Sequence, residues 1–130
     1  MTQTEISTLL KRIEGIANAN DWYVEIELED VYYDIVFRHE MSNGIDNEFG
    51  FNIKMDDNTY VNIDDISQYI QICFDEYDIS FETMFYLDKH GHGVKGFPYR
   101  MIDVYAIFEE FASQIERLAD EFRYAADCDE

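Results

Sequence analysis

The stretch VEIELEDVYYDIVF, residues 24–37, decides the fold. Val24, Ile26 and Leu28 alternate with Glu25, Glu27 and Glu29, the two-residue period of a strand with one apolar and one carboxylate face. A second strand is expected from Val31 to Glu40. Asp30 is the only punctuation between them, and it either turns the chain tightly or bulges one longer strand.

Outward from this pair, MSNGID at 41–46 carries Asn-Gly, a strong hairpin signal, so a third strand from about Glu48 to Met55 should run antiparallel to the second. DDNT at 56–59 is another turn, after which Thr59 to Asn62 is expected as a short fourth strand. Upstream, Ile6, Leu9, Leu10, Ile13, Ile16 and Ala17 recur at helical steps over residues 3–19, with Thr2 or Thr4 as cap. Downstream, Ile66, Tyr69, Ile70, Cys73 and Phe74 mark a helix from Asp64 to Glu76. A short helix from Phe81 to about His90 is stopped by Gly91, and the longest helix runs from about Tyr99 to Ala126 behind Pro98. The expected class is α+β: an antiparallel sheet of three to four strands with helices on one face, in the order αβββ(β)ααα. Residues 1–130 read as one domain, frayed over 127–130.

Charge is the strongest global feature. Against 29 Asp and Glu stand nine Lys and Arg, a formal net charge of −20, whereas solubility asks for a magnitude of only about 2 to 8. Ten Tyr and ten Phe nonetheless supply a core, so the chain is not of the disordered class. Such a surface repels phosphate backbones and anionic membranes, which excludes direct nucleic-acid binding and points to a basic partner. With no apolar run of about 18 residues and no signal-peptide pattern, a cytoplasmic location is expected. Cys73 and Cys128 read as reduced thiols, and their isolation speaks against structural zinc.

Enzymatic chemistry finds little support. A cysteine nucleophile needs an electropositive setting that this chain does not supply. His90 and His92 with Asp88 would offer a metal two imidazoles and a carboxylate, but Lys89, Lys95 and Arg100 make the segment a basic patch. The run GHGVKG lacks the lysine-serine or lysine-threonine ending of a phosphate loop and reads as a backbone reversal. Carboxylates too numerous to form a sparse, coupled pair say nothing of acid-base catalysis. No catalytic residue, cofactor or metal is expected.

The segment HGHGVKGFPYRMIDVYAIFEEFASQIERLADEF, residues 90–122, resembles small acidic proteins of phages and conjugative elements of Gram-positive bacteria. In these a glycine-rich turn likewise leads into a long acidic helix. The resemblance implies a mobile-element protein and carries no catalytic residues across. In physical type the whole chain is similar to the nucleic-acid mimics among anti-restriction and anti-CRISPR proteins and glycosylase inhibitors.

The expected function is therefore an inhibitor that occupies the basic nucleic-acid site of a host defence nuclease. Its partner-binding residues are read as Glu25, Glu27, Glu29 and Asp34 on the sheet, extended by Glu40, and Glu109, Glu110, Glu116 and Asp120 on the last helix. An acidic strand is also an ordinary defence against sheet-to-sheet aggregation. The excess of charge, which costs stability by self-repulsion, favours the functional reading. Two other classes fit the same surface: an immunity or antitoxin-like protein facing a basic toxin, and an accessory protein of a mobile element whose aromatic helices form a homodimer or larger oligomer.

Overall fold

The computed structural model describes residues 1–42, 44, 46–77 and 101–128, with residues 101–104 as backbone only. The short helix expected from Phe81, the glycine-rich turn with His90 and His92, and Pro98 lie outside the described residues. Helix α1 (Gln3–Ala19) precedes strands β1 (Tyr23–Glu29), β2 (Tyr32–Glu40) and β3 (Asp46–Lys54) and helices α2 (Ile63–Asp75) and α3 (Met101–Asp127). This is the expected α+β class, and Asp127, expected to fray, closes the last helix.

Both complete helices start on reciprocal caps. In α1 the Glu5 amide donates to Thr2 Oγ1 at 3.1 Å and the Thr2 amide to Glu5 Oε1 at 2.9 Å. Asn62 and Asp65 repeat the device in α2 at 2.9 and 3.0 Å. These bonds satisfy amide donors that the first helical turn leaves open. Helix α1 ends when Asp21 turns to a φ of 66° and the Trp22 amide returns to the Ala17 carbonyl at 2.9 Å. That reversal delivers Trp22 into the core, 3% exposed.

The sheet has the order β1-β2-β3, antiparallel throughout. Glu29 pairs with Tyr32, so the punctuation at Asp30 is a two-residue turn rather than a bulge, with Asp30 at a φ of 62°. Aspartate tolerates the left-handed region better than most residues. Between Glu40 and its partner Asp46, Gly44 takes a φ of 83° and donates its amide to the Met41 carbonyl at 2.9 Å.

Thr59 to Asn62, expected as a fourth strand, is not one. Val61 and Ile63 are buried while Tyr60 and Asn62 are exposed, so the alternation is real, but the backbone partners come from the N-terminus. The Met1 amino group donates to the Thr59 carbonyl at 3.5 Å as well as to the Asp56 carbonyl at 2.9 Å, and the Val61 amide donates to Met1 Sδ at 3.3 Å. Those contacts occupy this segment before it enters α2.

One face of the sheet is buried. Tyr33, Ile35, Phe37 and Ile53 join Trp22, Ile13, Ile66, Ile70, Phe111, Ile115 and Phe122 in a single core. Phe122 meets Phe37 edge-on at 6.0 Å, and Phe111 lies 5.9 Å from Trp22. Ser67, buried between α2 and α3, satisfies its hydroxyl on the Ala119 carbonyl at 2.8 Å. Arg12 reaches the Ala125 carbonyl at 3.0 Å and ties α1 to α3. No helix of the described residues is long and apolar enough to cross a membrane.

Two glycines give opposite expectations. Gly15 lies within α1 with open space where a Cβ would stand, so Gly15→Ala should stabilise by about 0.5–1 kcal/mol through helix propensity. At Gly50 a Cβ would stand 2.6 Å from the Ile35 carbonyl oxygen, and backbone cannot swing aside. Gly50→Ala should therefore cost about 1–3 kcal/mol. Urea midpoints of the two variants should move in opposite directions.

Candidate interaction surface

Pairing register dictates what the uncovered sheet face carries, because directly opposed residues in an antiparallel pair point to the same side. Four rows cross all the strands on this side: Tyr23, Arg38 and Glu48; Glu25, Val36 and Gly50; Glu27, Asp34 and Asn52; Glu29, Tyr32 and Lys54. At the far end Glu40 faces Asp46. Seven carboxylates thus share one face with two cations. Carboxylates in a column lie about 6.8 Å apart and neighbours across strands about 4.8 Å.

Neither cation relieves the centre of this face. Arg38 Nη2 is 2.9 Å from Glu48 and 3.7 Å from Glu25, and its guanidinium lies 5.7 Å from the Tyr23 ring centroid. The hydrogen bond to Glu48 holds the Arg38 pKa above its usual value. Lys54 turns aside to Asp56 at 3.6 Å. Glu27, Glu29 and Asp34 have no cation within 4 Å among the described residues. With Leu28 and Asn52 they line a shallow depression of about 380 Å³. The Glu27–Asp34 pair sets two like charges directly opposite, an arrangement that costs sheet stability.

The residues singled out on the last helix stand elsewhere. Helix α3 turns its buried stripe of Phe108, Phe111, Ile115, Leu118 and Phe122 toward the sheet. At 100° per residue, Glu109, Glu116 and Asp120 lie on the opposite side of the helix, facing away from the strands. All three are exposed, and Asp120 pairs with Arg123 at 2.9 Å. Glu110 is half-buried and does a different job: its carboxylate accepts from the Ser42 amide at 3.1 Å and the Ser42 hydroxyl at 2.7 Å, holding the β2–β3 turn to the helix. The eight carboxylates expected at a partner surface are therefore a sheet group, a helix group on the far side, and one internal tether. Asp46, Glu48 and Arg38 extend the sheet group and were legible only through the register of β2 against β3.

No protein family model, curated protein or solved structure matches this chain.

Two of the described groups with nucleophilic or metal-binding character, His39 and Cys73, pack against the rest of the fold. His39 stacks on Trp22 with centroids 4.8 Å apart, and its Nδ1 lies 3.1 Å from the Asp21 carbonyl, which can only accept. Burial, aided by Glu76, pushes the Cys73 thiol above its ordinary pKa and so away from the reactive thiolate. Among the described residues no group of three or more His, Cys, Asp or Glu side chains is placed to hold a metal.

Repulsion across the open face makes a definite prediction. Replacing one member of the central pair, Asp34→Asn, should raise the thermal midpoint, as should raising sodium chloride from about 50 to about 500 mM, which shortens the Debye length below the carboxylate spacing. The salt gain should be smaller in the variant. A midpoint that falls with salt would show that local ion pairs outweigh the repulsion.

Proposed function

We propose that this protein is an inhibitor whose open sheet face occupies the basic nucleic-acid site of a defence nuclease of the restriction or CRISPR type. The observation that carries the reading is the Glu27–Asp34 pair, flanked by Glu25 and Glu29, on a strand-rigid face with no cation at its centre. A fold gains nothing from opposed carboxylates. A Lys- and Arg-lined groove does, because it is built for regularly spaced negative charge and meets here a rigid array with comparable spacing that offers no scissile bond. The excluded partners follow from the same charge: phosphate backbones and anionic membranes are repelled. The protein acts by binding, without a reaction of its own.

A second reading is favoured by the exposed Tyr23, Tyr32 and Leu28, which are 58%, 50% and 59% accessible around the acidic rows. Tyrosine is enriched where proteins bind proteins. An immunity protein neutralising one basic toxin would use the same tyrosines as anchors.

Cleavage assays with purified restriction endonucleases and CRISPR effector complexes separate the two. The mimic should inhibit cleavage, and inhibition should be relieved by excess non-cleavable duplex DNA and weakened steeply between about 50 and about 200 mM salt. Inhibition indifferent to competitor DNA would contradict occupation of the nucleic-acid site. Neutralisation of a small basic toxin with no effect on any nuclease would establish the second reading.

A further inference from the structure

The two edges of the sheet differ. Beside β3, α2 stacks Tyr69 on Phe51 at 5.2 Å and brings Cys73 Sγ to 3.9 Å from the Gly50 carbonyl. Among the described residues there is no strand beside β1, and no residue from Tyr23 to Glu29 makes a backbone hydrogen bond outside its pairing with β2. The described helices cover Val24 at the start of β1 but stop short of its far end, where Leu28, on the core-facing side, is 59% exposed and Ile26 is only half-buried. A free edge is a template for another strand.

We propose that the β1 edge binds an extended basic segment of the partner by strand addition, a segment in which Lys or Arg alternates with apolar residues. This rests on the sheet face being the partner-binding face and names how the partner is gripped. Register supplies the specificity. In an added strand, side chains on the open side would stand opposite Glu25, Glu27 and Glu29, and those on the other side opposite Ile26 and Leu28. Positive charge satisfies the first set, and aliphatic side chains cover the second. A second copy of this chain is excluded as occupant by the same rule: any antiparallel β1–β1 register that pairs five or more residues of each strand and keeps the faces aligned opposes glutamate to glutamate. The edge thus rejects itself and accepts its charge complement.

The test uses the full chain and a capped seven-residue peptide with lysine at odd positions and valine at even ones. Two controls have equal charge: a peptide of the same composition in separate lysine and valine blocks, and the alternating peptide N-methylated at two adjacent central residues, which removes a donor from each of its edges. The alternating peptide should bind about tenfold or more tighter than either control. It should slow amide exchange within residues 23–29, and Glu27→Lys should weaken it about five- to tenfold. Equal affinity for all three peptides, protection confined to other residues, or a free protein already dimeric through β1 would overturn strand addition. Equal affinities that nonetheless fall in Glu27→Lys would overturn edge pairing while leaving the acidic-face reading standing. Nuclease inhibition untouched by competitor DNA would remove that reading whatever the peptides do.

Discussion

The packing of Trp22, Phe37, Phe49, Phe111 and Phe122 between the inner sheet face and α3 is the constraint on which the rest depends. Phe37 stacks on Phe49 at 5.2 Å, Trp22 meets Phe49 edge-on at 5.4 Å, and Phe122 closes over Phe37. Aromatic side chains of this size bring a large apolar area out of water and prefer such stacked and edge-on geometries. Because every one of these rings lies on one side of a three-stranded sheet, the described helices cover that side. Among the described residues nothing covers the other face, and its side chains are free to serve something other than folding.

What occupies that face is costly. Opposed carboxylates at Glu27–Asp34 and Glu40–Asp46 work against the pairing that the core enforces. Arg38 relieves one end by bridging Glu48 and Glu25, and Lys54 is drawn off to Asp56. Ordinary solubility needs neither the density nor the register of these charges. On the proposed reading, a basic macromolecular surface is the complement that turns the cost into binding energy, and strand addition at the β1 edge would add backbone hydrogen bonds to it.

Much of this architecture could be read from the chain alone because its signals are local. The apolar spacing of Ile6, Leu9, Ile13 and Ala17 gave α1 its bounds, and of the two candidate caps, Thr2 and Thr4, the helix starts on Thr2. The alternation from Val24 to Glu29 identified both the strand and its acidic face, and Glu25, Glu27, Glu29 and Asp34 do come together. What escaped was tertiary. The segment at 59–62 has strand-like alternation but gives its backbone to Met1, more than fifty residues away in the chain. Glu110 looks like any acidic helix residue until the β2–β3 turn is folded against it. Whether the helix carboxylates Glu109, Glu116 and Asp120 join the sheet face depends on which way α3 turns its apolar stripe, and that stripe could be seen without knowing which layer it faces.

The central claim is that a partner reads the open sheet face rather than the total charge. The most direct measurement compares two triple reversals of equal net charge, Glu25→Lys, Glu27→Lys and Asp34→Lys on the sheet against Glu109→Lys, Glu116→Lys and Asp120→Lys on the far side of α3, for inhibition of the same nuclease, with circular dichroism confirming an intact fold. The account predicts that the sheet variant loses inhibition and the helix variant keeps it. Equal loss in both would show that net charge alone acts, and loss confined to the helix variant would place the partner on the opposite side of the molecule.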